Sequence, residues 1–173
     1  RYRFTNTHSP LLTNVTVKEN GITLDFNFAL DQNSATNPET YELYQWNYAW
    51  TRNYGSAYYS VKNPLEEGED KIRIKKAVLS EDGMSVHLVI PNIQPVNQVE
   101  INFEVKGING LIFKEQAYLT INAVPGGKQP DMKELTRQRI GQRQKLLEIA
   151  NAKREGQRAK KEKAKNEQQK KES

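Results

Sequence analysis

Apolar and polar residues alternate with a period of two through most of the first 124 positions. Ile22, Leu24, Phe26 and Phe28 alternate with Thr23, Asp25 and Asn27, the pattern of a strand with one buried and one solvated face. Val99, Ile101, Phe103 and Val105 alternate in the same way with Gln98, Glu100, Asn102 and Glu104, and shorter rows run through Val86, Leu88 and Ile90 and through Leu119 and Ile121. Turn-forming clusters separate these rows: Glu19-Asn20-Gly21, Asp82-Gly83, Gly107-Ile108-Asn109-Gly110, and prolines at 91 and 95. The segment from Ser80 to Met84 predicts a hairpin between 72–79 and 86–90. The spacing predicts seven or eight strands with no helical period among them, and hence an immunoglobulin-like antiparallel β-sandwich over residues 10–124.

After Pro125-Gly126-Gly127 the pattern changes. Residues 125–130 read as a linker, and 131–173 as a charged helical or disordered tail. Asp131, followed by Glu134, predicts a helix start, because a side-chain oxygen can cap the free amides and acidic residues suit the N-terminal end of the helix dipole. Leu135, Ile140, Leu146, Leu147 and Ile149 supply a short apolar stripe. Beyond Ala150 only Lys, Arg, Glu, Gln, Asn, Ala, Gly and Ser follow, too little apolar surface to hold the segment against a domain, so a frayed end is expected.

Charge follows the same division. Residues 1–127 carry 11 Lys/Arg against 14 Asp/Glu, and residues 128–173 carry 15 against 7. The basicity belongs to the tail, where interleaved acids make a solvated charged helix the simplest reading. Nucleic-acid binding is therefore not expected of the sandwich, while the tail can touch anionic surfaces. The absence of cysteine excludes disulfides, thiolate metal sites and a cysteine nucleophile. Residues 1–9 read as the end of a preceding domain or a linker, and a start at Arg1 without a signal sequence reads as a piece of a longer protein.

Several constellations carry the residue types of known chemistry. Ser80, Asp82 and His87 have the residue types of a hydrolase triad, but they fall across one hairpin, with His87 on its wet face and no oxyanion hole signalled. Glu66, Glu67, Glu69 and Asp70 surround Gly68 in an acidic loop with the oxygen chemistry of a calcium site, the plainer reading being a solvated loop. Asp31-Gln32-Asn33 begins like a calcium loop but puts Ala35 and Thr36 where a ligand and a glycine belong. Gly126-Gly127-Lys128 lacks the spacing of a phosphate-binding loop, and Asn14-Val15-Thr16 has the form of a glycosylation acceptor. No catalytic residue, cofactor site or metal site is expected in this segment.

The most informative stretch is 41–61, which holds eight of the fifteen aromatic residues. Tyr44, Trp46, Tyr48 and Trp50 are spaced by two and stand on one face of an extended strand. Tyr54-Gly55-Ser56 reads as a turn, and Tyr58 and Tyr59 follow it. Two readings stay open. Part of the ladder can be structural, like the strand-C tryptophan of immunoglobulin-like sandwiches. Alternatively Tyr44, Trp46, Tyr48, Trp50, Tyr54 and Tyr58 form an interaction surface for a sugar ring or a neighbouring domain.

The Trp46-x-Tyr48-x-Trp50-Thr51-x-x-Tyr54-Gly55-Ser56 core, with the Ile90-Pro91-x-Ile93-x-Pro95-Val96-x-Gln98 run, resembles the C-terminal immunoglobulin-like region of large secreted bacterial proteins. Those proteins join a sorbosone/glucose-dehydrogenase-like β-propeller to a c-type cytochrome domain. The resemblance covers residues 1–123, with Arg1-Tyr2-Arg3-Phe4 similar to a final propeller strand. Leu24 to Tyr41 also resembles bacterial immunoglobulin-like modules of surface proteins. The resemblance implies a non-catalytic accessory module that docks or braces the catalytic and haem domains of a secreted, periplasmic or cell-envelope redox protein. Haem c would then lie elsewhere in the parent, and the partners would be the propeller and cytochrome domains of the same chain. The alternative is a carbohydrate-binding or cell-surface adhesion module that uses the aromatic ladder on a glycan.

Overall fold

The computed structural model describes residues 9–49, 55–127 and 131–171. The expected strand at Arg1–Phe4 lies outside them. Nine strands lie among the described residues: β1 (Leu12–Lys18), β2 (Gly21–Phe26), β3 (Tyr41–Tyr48), β4 (Tyr58–Tyr59), β5 (Asp70–Ile72), β6 (Lys76–Leu79), β7 (Ser85–Val89), β8 (Val96–Lys106) and β9 (Ile112–Ile121). They form two antiparallel sheets, a four-stranded one in the order β1-β2-β7-β6 and a five-stranded one in the order β4-β3-β8-β9, with β5 also paired to β3. Strand for strand this is the A-B-E-D and C-F-G arrangement of an immunoglobulin-like sandwich, with β4 and β5 as short additions beside strand C. The excess over the expected number of strands comes from these two pieces, too short to show a period.

The alternating rows close face to face as the period of two requires. Ile22, Leu24 and Phe26 from β2 and Val86 and Leu88 from β7 meet Tyr41, Leu43, Val99, Ile101, Phe103 and Val105 from the other sheet in one buried cluster. Phe26 makes edge contacts with Phe28, Phe103 and Phe113 at 5.6, 5.7 and 6.3 Å between ring centres, the geometry in which a ring edge meets a ring face. Phe28 and Leu119, read as members of their rows, lie half-buried at the margin of this cluster.

Turn chemistry sets the register. In the β6–β7 hairpin the Asp82 carboxylate accepts from the Ser80 hydroxyl at 2.6 Å and from the Met84 amide at 2.9 Å. Gly83 beside it takes φ 72°, a backbone angle a Cβ would penalise. At the β1–β2 turn Gly21 meets a different requirement: a Cβ built there would lie 1.9 Å from the Leu88 carbonyl oxygen of the neighbouring strand.

One element departs from the all-strand expectation. α1 (Gln32–Thr36) and a single 3-10 turn (Pro38–Thr40) connect the sheets between β2 and β3. The Asp31 carboxylate, weighed above against a calcium loop, caps α1 by accepting from the Ser34 amide at 2.9 Å. The buried Ala35 carbonyl accepts from the Tyr41 hydroxyl at 2.9 Å, and burial pushes that hydroxyl above its usual pKa. A helix of five residues is too short to register as a period.

α2 (Met132–Lys171) begins where expected, with the Asp131 carboxylate accepting from the Lys133 amide at 2.9 Å. Ile140, Leu147 and Ile149 are exposed, and Leu146 is half-buried. A hydrogen bond from Gln142 Nε2 to the Pro64 carbonyl, 2.6 Å, links α2 to the loop before β5. No helix among the described residues is long and apolar enough to cross a membrane.

Candidate interaction surface on the five-stranded sheet

The register of β3 against β8 decides which way the aromatic ladder faces. Tyr41 pairs with Phe103 and Leu43 with Ile101, and all four are buried in the core. Because strand side chains alternate, Glu42, Tyr44, Trp46 and Tyr48 stand on the outer face. Tyr58 is opposite Tyr48 across β3–β4 and joins them. The ladder therefore shares one face, as its spacing predicts, and that face is turned away from the sandwich core.

Trp46 is nevertheless only 1% exposed. It is covered by Tyr58, whose ring stacks on the indole with centres 4.5 Å apart and planes inclined by 22°, and Tyr48 meets Tyr58 edge-on at 5.9 Å. Trp46 thus has the burial of the structural reading, in a small cluster separate from the sandwich core. It offers no open ring to a ligand. Its indole N–H is buried without a hydrogen-bond partner among the described residues. Tyr58 above it is 46% exposed, so it is Tyr58 that presents aromatic surface at this point. Trp50 and Tyr54, the other two ladder candidates, lie outside the described residues.

Cross-strand pairing extends the face into rows. Lys71, Tyr44, Glu100 and Tyr118 form one row across β5, β3, β8 and β9, and Glu42, Asn102 and Gln116 form the next. Hydrogen bonds join the side chains. Glu100 Oε1 accepts from Asn102 Nδ2 at 2.6 Å and from Gln116 Nε2 at 2.7 Å, and Gln116 Nε2 also reaches Asn102 Oδ1 at 2.8 Å. Glu42 Oε1 accepts from the Tyr44 hydroxyl at 2.7 Å and from Lys71 Nζ at 2.6 Å, with Lys71 Nζ 5.8 Å from the centre of the Tyr44 ring. Donation by Lys71, then by Tyr44, holds the Glu42 carboxyl below its usual pKa. Tyr44 is raised chiefly by its bond to Glu42, and Tyr118 by burial and then by the nearby Glu100 charge.

Sequence reasoning stopped at residue 61 and missed half of this face. Tyr118 carried a local signal, because an aromatic residue stands at a wet position in the row of Leu119 and Ile121. Glu100, Asn102, Gln116 and Lys71 carried none, since polar residues on a wet strand face are the ordinary case.

The other candidate constellations disperse. His87 Nδ1 lies 3.0 Å from Thr23 Oγ1 and Nε2 lies 2.9 Å from Asn20 Oδ1, while Ser80 and Asp82 bond to each other in the turn. No triad is assembled. In the acidic loop Asp70 faces inward: its carboxylate accepts from the Ser60 hydroxyl at 3.0 Å and from the Val61 and Lys62 amides at 2.7 and 3.0 Å. It organises the chain following β4. Among the described residues no group of three His, Asp or Glu is placed to share a metal ion.

No protein-family model matches the chain, and no curated protein matches it in sequence. Among solved structures it is similar to the S-layer protein rSbsC, at 14% identity and a TM-score of 0.46 over 68% of this chain. It is also similar to CopC from Methylosinus trichosporium OB3b, at 13% identity and a TM-score of 0.34 over 65% of this chain and 92% of that one. The chain spans 14% of the length of the S-layer protein.

Proposed function

We propose that the chain is a non-catalytic accessory module of a secreted or cell-envelope protein, and that it recognises its target through the outer face of the five-stranded sheet. The observation that supports this reading is the outward tyrosine set, exposed Tyr58 and Tyr118 with half-buried Tyr44 between them, beside a hydrogen-bonded carboxylate and amide network. Tyrosine contributes large, rigid contact area at a small entropic cost, and a surface that serves only solubility has no use for it. The envelope location and the parent redox protein with its propeller and haem domains rest on the sequence resemblance. The upstream reading frame tests them: a propeller and a CxxCH motif there are the expected findings, and their absence removes that parent.

Binding of the fluorescently labelled chain to isolated cell envelope of the source organism tests the recognition face. The double variant Tyr58→Ala/Tyr118→Ala should lose tenfold or more in affinity with its circular dichroism unchanged. Equal binding by the variant, or no binding by the parent sequence, would refute the assignment.

A further inference from the structure

The chemistry of this face narrows its target, on the footing that the face is the recognition surface. By strand alternation it carries three carboxylates, Glu42, Glu100 and Glu104, and three ammonium groups, Lys71, Lys106 and Lys114. Glu42 is neutralised by Lys71 at 2.6 Å, and Glu104 faces Lys114 at 3.6 Å. The surface has no net formal charge, so it complements neither a polyanion nor a strongly charged peptide. Its centre is equally unlike a protein-docking patch, which concentrates apolar and aromatic groups at the middle and polar ones at the rim. Here the polar trio Glu100, Asn102 and Gln116 occupies the middle and tyrosines flank it.

We infer that the outer face of the five-stranded sheet binds a neutral glycan chain, with Tyr58 and Tyr118 as ring platforms and the Glu100, Asn102 and Gln116 trio as the hydroxyl-binding centre. A pyranose presents a C–H face to an aromatic ring, while its equatorial edge carries hydroxyls that each donate and accept. The trio supplies both roles: carboxylate and carbonyl oxygens accept, and the two amide groups donate. Their mutual bonds of 2.6 to 2.8 Å fix the side chains before a ligand arrives, which lowers the ordering cost of binding. Stacking on buried Trp46 holds the Tyr58 ring in the same way.

Heteronuclear NMR on the labelled full chain tests this, with cellohexaose, laminarihexaose, mannohexaose and N-acetylchitohexaose titrated into the millimolar range. At least one should produce saturable shifts centred on Tyr44, Tyr58, Glu100, Gln116 and Tyr118. Gln116→Ala, an exposed change that leaves the core untouched, should weaken that binding about tenfold, and Tyr118→Ala by at least as much. Thr16→Ala on the opposite sheet should leave it unchanged. Silence from the whole panel would overturn the glycan assignment; the recognition face itself would survive if envelope binding persisted, stayed sensitive to Tyr58→Ala/Tyr118→Ala, and was abolished by protease treatment of the envelope. Saturable shifts on a different surface would overturn the assignment of the face.

Discussion

Truncating Trp46 to Ala separates a buried support from an open platform. A tryptophan side chain buries about 200 Å², worth about 5 kcal/mol at the usual area coefficient, and at 1% exposure Trp46 realises nearly all of it. Partial burial in the unfolded chain lowers this to about 3–4.5 kcal/mol. The unpartnered indole N–H works in the opposite direction, since an unsatisfied buried donor costs about 1–3 kcal/mol. Taking the middle of each range, Trp46→Ala should therefore destabilise by about 2 kcal/mol. Trp46→Phe, which keeps a ring under Tyr58 and removes the orphan donor, should stay within about 1 kcal/mol of the parent sequence. Urea unfolding followed by circular dichroism reads the difference as a midpoint shift of about 1 M for the Ala variant at a slope of about 2 kcal/mol/M. A double-mutant cycle with Tyr58→Ala should return about 0.5–1.5 kcal/mol of coupling for the stacked pair. A midpoint for Trp46→Ala indistinguishable from the parent, with the slope unchanged, would mean that the indole is not buried in solution, and the account of Tyr58 as a supported ring would fail with it.

Gly21→Ala should cost about 3 kcal/mol or prevent folding, because its Cβ would meet the Leu88 carbonyl at 1.9 Å and backbone cannot yield as a side chain does; a thermal melt near that of the parent would contradict the close strand approach. Truncation after Gly127 should leave the melting temperature within a degree or two, since Ile140, Leu147 and Ile149 of α2 are exposed, and aggregation of the truncated chain would show instead that Leu146 and its neighbours shield the sandwich. Burial, then the charge of Lys18, holds the His87 pKa below its usual value, so the folded state favours neutral imidazole; its stabilising contribution is complete above about pH 6.5 and is lost as pH falls through the folded value. NMR titration should place the His87 midpoint below 6.5, and a higher midpoint would reverse that sign.

The period of two was enough to read most of this fold, because in a sandwich the same residue pattern that makes a strand also says which of its faces is buried. β2, β7 and β8 each follow their alternating rows, and the Ser80–Met84 hairpin is carried by local turn chemistry. β3 is the exception. Its even positions, Tyr44, Trp46 and Tyr48, are at least as apolar as Tyr41 and Leu43, so pattern alone does not say which set enters the core. The choice depends on pairing with β8, more than fifty residues away in sequence, and the burial of Trp46 depends on Tyr58 returning from the far side of a loop. A windowed reading contains neither contact. α1 escaped for another reason: five residues capped by Asp31 make barely more than one turn.

A comparison of the two outer faces separates what folding requires from what it does not. Both sheets belong to one sandwich and obey one alternation, and each needs only polar residues outside. The four-stranded sheet meets that need mainly with short groups bonded to one another, Thr23 with His87 at 3.0 Å, Asp25 with Ser85 at 2.7 Å and Asn14 with Asp25 at 3.2 Å, with Val78 as an exposed apolar member. Its strands carry no outward Phe, Tyr or Trp. The five-stranded sheet carries Tyr44, Trp46, Tyr48, Tyr58 and Tyr118 outward, with Tyr58 and Tyr118 about half exposed at 46% and 53%, so these rings contribute less to stability than full burial would and add apolar surface in contact with water. Covering Trp46 accounts for the buried side of Tyr58, but nothing in the fold accounts for its open side or for Tyr118. That asymmetry between two faces built by the same rule is the physical ground for assigning recognition to one of them.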